Sequence, residues 1–167
     1  ARVGQEQIQG DFMSEPNKEE RGKFSFFSYG AVFVEVHVDV FGQVRLKRAV
    51  GVYDVGRMIN PRLARSQIMG GMLFGFSTAL METTVPDEKT GRNVNPNLAE
   101  YHVVVHADAP EFDIDFINEP DPHMPDLGAR GIGEIGIVGA PAAVANAVFN
   151  ATGKRVRDLP ITPDKLL

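Results

Sequence analysis

One carboxylate in this chain sits in surroundings that do not solvate it. In Arg130-Gly-Ile-Gly-Glu-Ile-Gly-Ile-Val-Gly139, Glu134 lies among four glycines and four aliphatic residues. A charged group in such a run is costly to desolvate unless something uses it. Glycines on both sides let the backbone approach a ligand closely and take conformations closed to other residues. The Ala-rich stretch Pro141-Ala-Ala-Val-Ala-Asn-Ala-Val-Phe149 follows and reads as a helix, so Glu134 stands at or just before a helix start. Partial burial there raises a carboxyl pKa toward neutrality, which suits a general base. Two other readings use the same residues: Glu134 caps the helix, or the glycines form a dinucleotide-binding loop.

Gly131-x-Gly133-x-x-Gly136 formally meets the dinucleotide fingerprint, but that fingerprint needs a strand directly before it. Pro122, Pro125 and Gly128 precede it instead. A second strand ending in an acidic residue must follow the helix. Asp158 is suitably placed, yet Pro160 comes next and the chain ends nine residues after Asp158. The histidines offer no metal site. His37 falls on the polar side of an alternating strand, and His123 lies in a Pro-rich loop. His102 and His106, in a strand-like segment, share a face but stand about 13 Å apart along it. Asp54, in Tyr53-Asp-Val-Gly-Arg-Met-Ile-Asn-Pro61, reads as a structural brace for the turn into the following helix.

Charge and composition narrow the partners. Against 22 acidic residues stand 17 basic ones, for a net charge of -5. No stretch clusters Lys and Arg, which argues against nucleic acid or an anionic membrane surface as partner. With no Cys, neither a disulfide framework nor a thiolate or iron–sulfur site is built from this chain, and the compartment stays open. The longest mostly apolar run, residues 68–81, contains several small and polar residues. It falls short of the roughly twenty residues that span a bilayer. Hydrophobic residues make up 43% of the 167, enough for one domain's core. The start is polar, irregular and without an initiator Met, as in a portion of something longer.

The elements that must position Glu134 follow from periodicity. Val32, Val34, Val36, Val38 and Val40 alternate with Phe33, Glu35, His37 and Asp39, which predicts a half-buried strand over residues 31–40. Phe41-Gly42 turns the chain, and residues 43–52 return as its hairpin partner. Asn60-Pro61 starts a helix that runs to Glu82. Its later part (Ile68, Met69, Met72, Leu73, Phe74, Phe76) is apolar on nearly every face, which predicts burial. Gly70, Gly71 and Gly75 each cost about 1 kcal/mol of helix propensity relative to Ala. Close approach of another backbone or of a ligand would offset that. Gln67, one turn before Gly71, is the polar group nearest this small-residue surface. Residues 85–96 read as a polar loop, 101–105 and 112–117 as strands, 118–128 as an extended loop, and 155–167 as an irregular tail. The sum is an α+β fold: a mixed, largely antiparallel sheet against a long buried helix, with a C-terminal helix after the glycine loop. Residues 1–23 form an irregular lead-in and residues 24–167 the domain portion.

In this order the motifs resemble the C-terminal part of the large, molybdenum-binding subunit of the xanthine dehydrogenase and aldehyde oxidase family. Among these molybdenum hydroxylases the ending is most similar to bacterial aldehyde oxidoreductases. The resemblance runs from about Phe26 onward and rests on several segments. They are Gly30-Ala-Val-Phe-Val-Glu-Val36, Asp54-Val-Gly-Arg-Met-Ile-Asn-Pro61, Gln67-Ile-Met-Gly-Gly-Met-Leu-Phe-Gly75, Gly131-Ile-Gly-Glu134 and Leu159-Pro-Ile-Thr-Pro163. It implies a molybdenum held by a pterin dithiolene, as molybdopterin or its cytosine dinucleotide, that hydroxylates an aldehyde or an N-heterocycle with oxygen from water. It implies that Glu134 deprotonates the attacking hydroxyl. It places Gln67 near the metal's oxo group, with Gly131, Ile132 and Gly133 beside it at the cofactor. Electrons would leave through iron–sulfur centres, with or without FAD, on partner domains or subunits. The family's large subunit is several times longer, so the remainder would supply the other cofactor loops, and this chain alone is expected to be inactive. Two rival readings remain: a nucleotide-binding module, which needs a strand before Gly131, and an inert α+β interaction domain, in which Gln67 and Glu134 lie far apart. On the molybdenum-hydroxylase reading, Gln67 and Glu134 face one concave pocket.

Overall fold

In the computed structural model, which describes residues 10, 11, 13, 19, 20 and 22–167, the valine alternation folds into a long hairpin. Strand β1 (Tyr29–Val38) pairs antiparallel with β2 (Val44–Asp54). Val32, Val34, Val36 and Val38 pack on the core, while Phe33, Glu35 and His37 face outward. Val40 departs from the expected alternation and is 85% exposed. The cause is local: Asp39 Oδ1 accepts from the backbone N–H groups of Phe41 (2.9 Å) and Gln43 (3.0 Å), which turns the chain before Val40 can continue the strand. Gly42 completes that turn at φ 78°. A bulge at Glu35/Val36 lets the pairing skip Lys47.

Helix α1 (Pro61–Leu80) begins as its first residues dictate. The Asn60 side chain accepts from Leu63 N at 3.1 Å, and Pro61 occupies the first turn, where no N–H is needed. Ala64, Ile68, Met72, Phe76 and Ala79 recur at helical spacing and are buried. Burial on nearly every face is not met. Phe74 is 60% exposed. A Cβ on Gly70 would meet nothing within 4 Å, so the described residues leave this outer face uncovered.

The third strand, β3 (Glu111–Ile117), lies beside β2 and runs parallel to it, from Glu111 opposite Arg48 to Ile117 opposite Asp54. The sheet is therefore mixed, in the order β1-β2-β3. Arg65 of α1 donates to the carbonyls of Ile114 (3.2 Å) and Phe112 (3.0 Å), ending the outer edge of β3 with a guanidinium rather than another strand. The strand expected over residues 101–105 does not form. Val104 N donates to the buried Ser77 hydroxyl at 3.0 Å and Val105 N to Asp108 Oδ2 at 2.9 Å, so these amides go to side chains instead of a ladder. His102 precedes and His106 begins a short 3-10 turn (His106–Asp108), so no strand face aligns them.

After a loop over residues 118–130 come a one-turn helix, α2 (Ile135–Val138), and α3 (Ala140–Thr152), which ends on Gly153 at φ 73°. Ala140, Val144 and Val148 are fully buried in one cluster with Tyr53, Ile68, Met72 and Phe76. The stretch Ile135–Thr152 has a mean hydropathy of 1.4 and is long and apolar enough to cross a membrane by composition. It is broken between α2 and α3, and its buried side chains serve this core. The tail is pinned where Ile161 N donates to Ala79 O at 2.7 Å. The irregular segment expected over residues 1–23 falls largely outside the described residues.

Candidate active site: a cleft beside the glycine loop

The glycine loop is launched from a buried charge. Arg130 Nη1 donates to Asp121 Oδ2 at 2.6 Å, and its Nη2 lies against Asp54 Oδ1. Tyr29 adds its ring face 5.9 Å from the guanidinium carbon. The side chain of Arg130 is 11% exposed, those of Asp54 and Asp121 14% and 9%. Burial pushes the Asp54 carboxyl up, but the Gly56 N–H, the Tyr29 hydroxyl and Arg130 outweigh it and hold the group below the ordinary aspartate value. Asp121 is held low first by the His123 N–H, and by Arg130 against the opposing effect of burial. Burial alone would lower the Arg130 pKa; hydrogen bonds and charge from Asp121 and Asp54 raise it. Asp54 does brace the turn after β2, accepting from Gly56 N at 3.0 Å, and it also neutralises a cation from far along the chain.

Backbone contacts then deliver the loop to α1. Arg130 N donates to Val55 O at 2.7 Å and Arg57 N to Gly128 O at 2.8 Å, so residues 128–130 run beside the end of β2. Gln67 Nε2 donates to Gly133 O at 2.5 Å, and Ser28 Oγ to Gly131 O at 2.5 Å. Farther on, Gly136 meets α1 backbone to backbone: a Cβ there would stand 2.7 Å from Ile68 O and 3.3 Å from Gly71 Cα. Gly75 likewise faces Ala140 and Pro141. The glycines of α1 are thus offset by a neighbouring backbone at Gly71 and Gly75, and by nothing in this chain at Gly70.

Between α1, the end of β2 and the glycine loop lies a cleft of about 450 Å³, lined among others by Val55, Asn60, Gln67, Arg130, Ile132 and Gly133. Gln67, Ile132 and Gly133 therefore share one concavity, whereas the expectation that Gln67 and Glu134 both face it is met for Gln67 alone. Gly131 and Glu134 are next to lining residues without lining the cleft themselves. Glu134 is exposed rather than partly buried. Its surroundings share that openness: Cβ atoms on Gly131 or Gly133 would meet nothing within 4 Å. It occupies the N-cap position of α2 but makes no capping hydrogen bond, so capping does not account for it. The dinucleotide reading fails on its own criterion, since residues 118–130 contribute only the isolated bridge between Ala129 and Gly56 before Gly131.

Sequence reasoning passed over Ser28, Tyr29 and the pairing of Arg130 with Asp54 and Asp121. The sole signal was an arginine at the head of the glycine segment with an aspartate in each flanking turn. Among the described residues no group of three or more His, Asp or Glu is placed to hold a metal ion directly. His123 stacks on Phe24 with ring centroids 3.9 Å apart, and its Nδ1 is 3.5 Å from Glu20 Oε1. A cofactor that brings its own metal ligands fits this wall better than a bare ion. The lining is mainly apolar, Gln67 offers an amide, and the bare backbone at Gly131 and Gly133 leaves room for close approach.

Comparison with known proteins agrees with that chemistry. The molybdopterin cofactor-binding domain family matches residues 4–110, a stretch that holds Gln67 and ends before the glycine loop. The aldehyde oxidoreductase molybdenum-binding subunit PaoC of Escherichia coli (strain K12) is 48% identical over 141 residues, covering 84% of this chain and 19% of that protein. The xanthine dehydrogenase molybdenum-binding subunit of Escherichia coli O157:H7 is 36% identical over 140 residues, covering 83% of this chain and 18% of that protein. The solved aldehyde oxidoreductase of Desulfovibrio gigas superposes with a TM-score of 0.74 at 33% identity, over 84% of this chain and 15% of that one. The chain spans about a fifth of the length of these curated relatives.

Proposed function

The chain belongs to the molybdopterin cofactor-binding domain family, and from that premise we propose that it forms one wall of the pocket of a molybdenum hydroxylase. On this reading Glu134 is the general base, and Gln67, Gly131, Ile132 and Gly133 hold the molybdenum–pterin cofactor. Residues 24–167 are the cofactor-binding portion contributed to a longer large subunit, whose remainder completes the cradle. The observation that carries the proposal is the hydrogen bond from Gln67 Nε2 to Gly133 O at 2.5 Å, which joins the cleft's amide to the residue immediately before Glu134.

When bound, the cofactor supplies a two-electron acceptor and the site at which oxygen from water is transferred. The protein's own residues then have defined tasks. A Glu134 carboxylate oxygen accepts the proton of the water-derived nucleophile as it attacks the substrate carbon. The exposed setting of Glu134 in this chain leaves the carboxylate open to a cofactor and substrate bound beside the loop. Gln67, having given one N–H to Gly133 O, keeps its second N–H and its Oε1 for the cofactor. Gly131 and Gly133, without side chains, let the cofactor reach the loop's backbone. An aldehyde is the substrate class favoured by the 48% identity to an aldehyde oxidoreductase subunit; an N-heterocycle is the second reading, from the 36% identity to a xanthine dehydrogenase subunit. Electrons pass to iron–sulfur centres, with or without FAD, on partner domains or subunits.

The test is Glu134→Gln in the full-length enzyme. The amide keeps size and hydrogen bonding but cannot accept the proton, so molybdenum and pterin are retained while turnover falls by about 100-fold or more. Near-normal turnover in the molybdenum-loaded variant overturns the base assignment. Loss of cofactor instead assigns Glu134 to organising the loop.

A further inference from the structure

The glycine loop is secured at both ends, and in its middle Ile132 packs on the core while the backbone on either side of it is held by hydrogen bonds. At one end Arg130 N bonds to Val55 O at 2.7 Å; at the other Gly136 abuts Ile68 and Gly71. Between them Gly131 and Gly133 have open space where a Cβ would stand. Two side-chain donors hold the loop's carbonyls. Gln67 holds the Gly133 carbonyl, and with it the peptide plane that enters Glu134. Ser28, 103 residues before Gly131 in sequence, holds the Gly131 carbonyl and with it the peptide plane that enters Ile132. Alternate carbonyls ahead of Glu134 are thus tied to two separate elements.

Ser28 is itself well anchored. The next residue, Tyr29, hydrogen-bonds the Asp54 carboxyl and lays its ring 5.9 Å from the Arg130 guanidinium. Upstream, Phe24 stacks on His123 at 3.9 Å. The segment leading into β1 therefore lies along the loop over residues 118–131 at several points. The Ser28 hydroxyl belongs to that built contact.

We propose that Ser28 is a positioning residue for the catalytic base, its hydroxyl holding the glycine loop so that Glu134 is presented in one orientation. This rests on the general-base reading of Glu134. The test uses the full-length, molybdenum-loaded enzyme with Ser28→Ala, the isosteric pair Ser28→Thr and Ser28→Val, Glu134→Gln, and Ser28→Ala combined with Glu134→Gln. One lost hydrogen bond that acts only through Glu134 lowers kcat by about tenfold and leaves KM and molybdenum content unchanged. Ser28→Thr recovers most of that loss and Ser28→Val does not. In the Glu134→Gln background Ser28→Ala costs nothing more. Hydrogen exchange of the amides of residues 131–134 in the full-length subunit is faster in Ser28→Ala and Ser28→Val than in Ser28→Thr. A wild-type kcat in Ser28→Ala, an equal loss in both backgrounds, a loss that tracks molybdenum content, or identical behaviour of Thr and Val overturns the proposal. Should Ser28→Ala not accumulate, the Thr and Val pair carries the same test. Failure of the base reading is separate: it shows as activity in molybdenum-loaded Glu134→Gln, whatever Ser28 does.

Discussion

Two residues separate Gly133, where a Cβ would meet no atom within 4 Å, from Gly136, where it would stand 2.7 Å from Ile68 O. Both are glycines of one short segment, and they are glycine for opposite reasons. Gly136 lets α2 close on α1 backbone to backbone, with Gly71 as its counterpart. Gly131 and Gly133 keep a surface bare. The first half of the segment is anchored by a buried cation, Arg130, and the second by packing. The difference teaches that a glycine-rich run around a carboxylate can be half ligand surface and half helix seam, with the carboxylate at the junction.

The comparison can be broken at its charged end first. Arg130→Met leaves Asp54 and Asp121 in a mostly buried site without their partner, which should cost about 3–5 kcal/mol in equilibrium urea unfolding. A loss below about 1 kcal/mol, the range of an exposed pair, would mean that packing anchors both halves. At the packed end, Gly136→Ala pushes a methyl into the backbone of Ile68, an overpacking cost of about 1–3 kcal/mol by the same measurement. The charged anchor should also respond to acid. Asp54 and Asp121 titrate lower in the folded chain than in the unfolded one. Their stabilisation is therefore present above the ordinary aspartate value of about 3.9 and lost as pH falls through their lower folded values. Urea midpoints measured across that window should fall, and fall less steeply in Asp54→Asn. The smallest effect on folding is expected at the bare glycines. Gly131→Ala and Gly133→Ala should stay within about 0.5 kcal/mol of wild type, while lowering the molybdenum and pterin content of the full-length subunit. Unfolding losses as large as that of Gly136→Ala would erase the distinction between the two halves.

Much of the frame was legible because its signals are local. The alternation from Val32 to Val38 and the Asn60-Pro61 start each act within a turn or a strand, and each forms where its residues predict. Where local reading failed, a side chain from elsewhere had taken the backbone. Ser77 and Asp108 took the amides of Val104 and Val105, and the Asp39 carboxylate took the turn that ended β1 before Val40. The site divided in the same way. That Gln67 and the glycine segment belong together was implied by the order of the motifs, and the Gln67–Gly133 bond joins them.

By itself the sequence determined the identities of the candidate groups: a lone carboxylate among glycines, an amide on a small-residue helix, and no thiolate of its own. Only the tertiary structure decided which glycines face open space and which are pressed against a neighbour. It alone paired β3 parallel with β2, brought Asp54 and Asp121 to Arg130, and carried Ser28 to Gly131. The physical reason is range. Propensity, capping and periodicity act over a few residues and are written in order along the chain. Contacts between distant segments depend on how the layers stack, which no local pattern encodes.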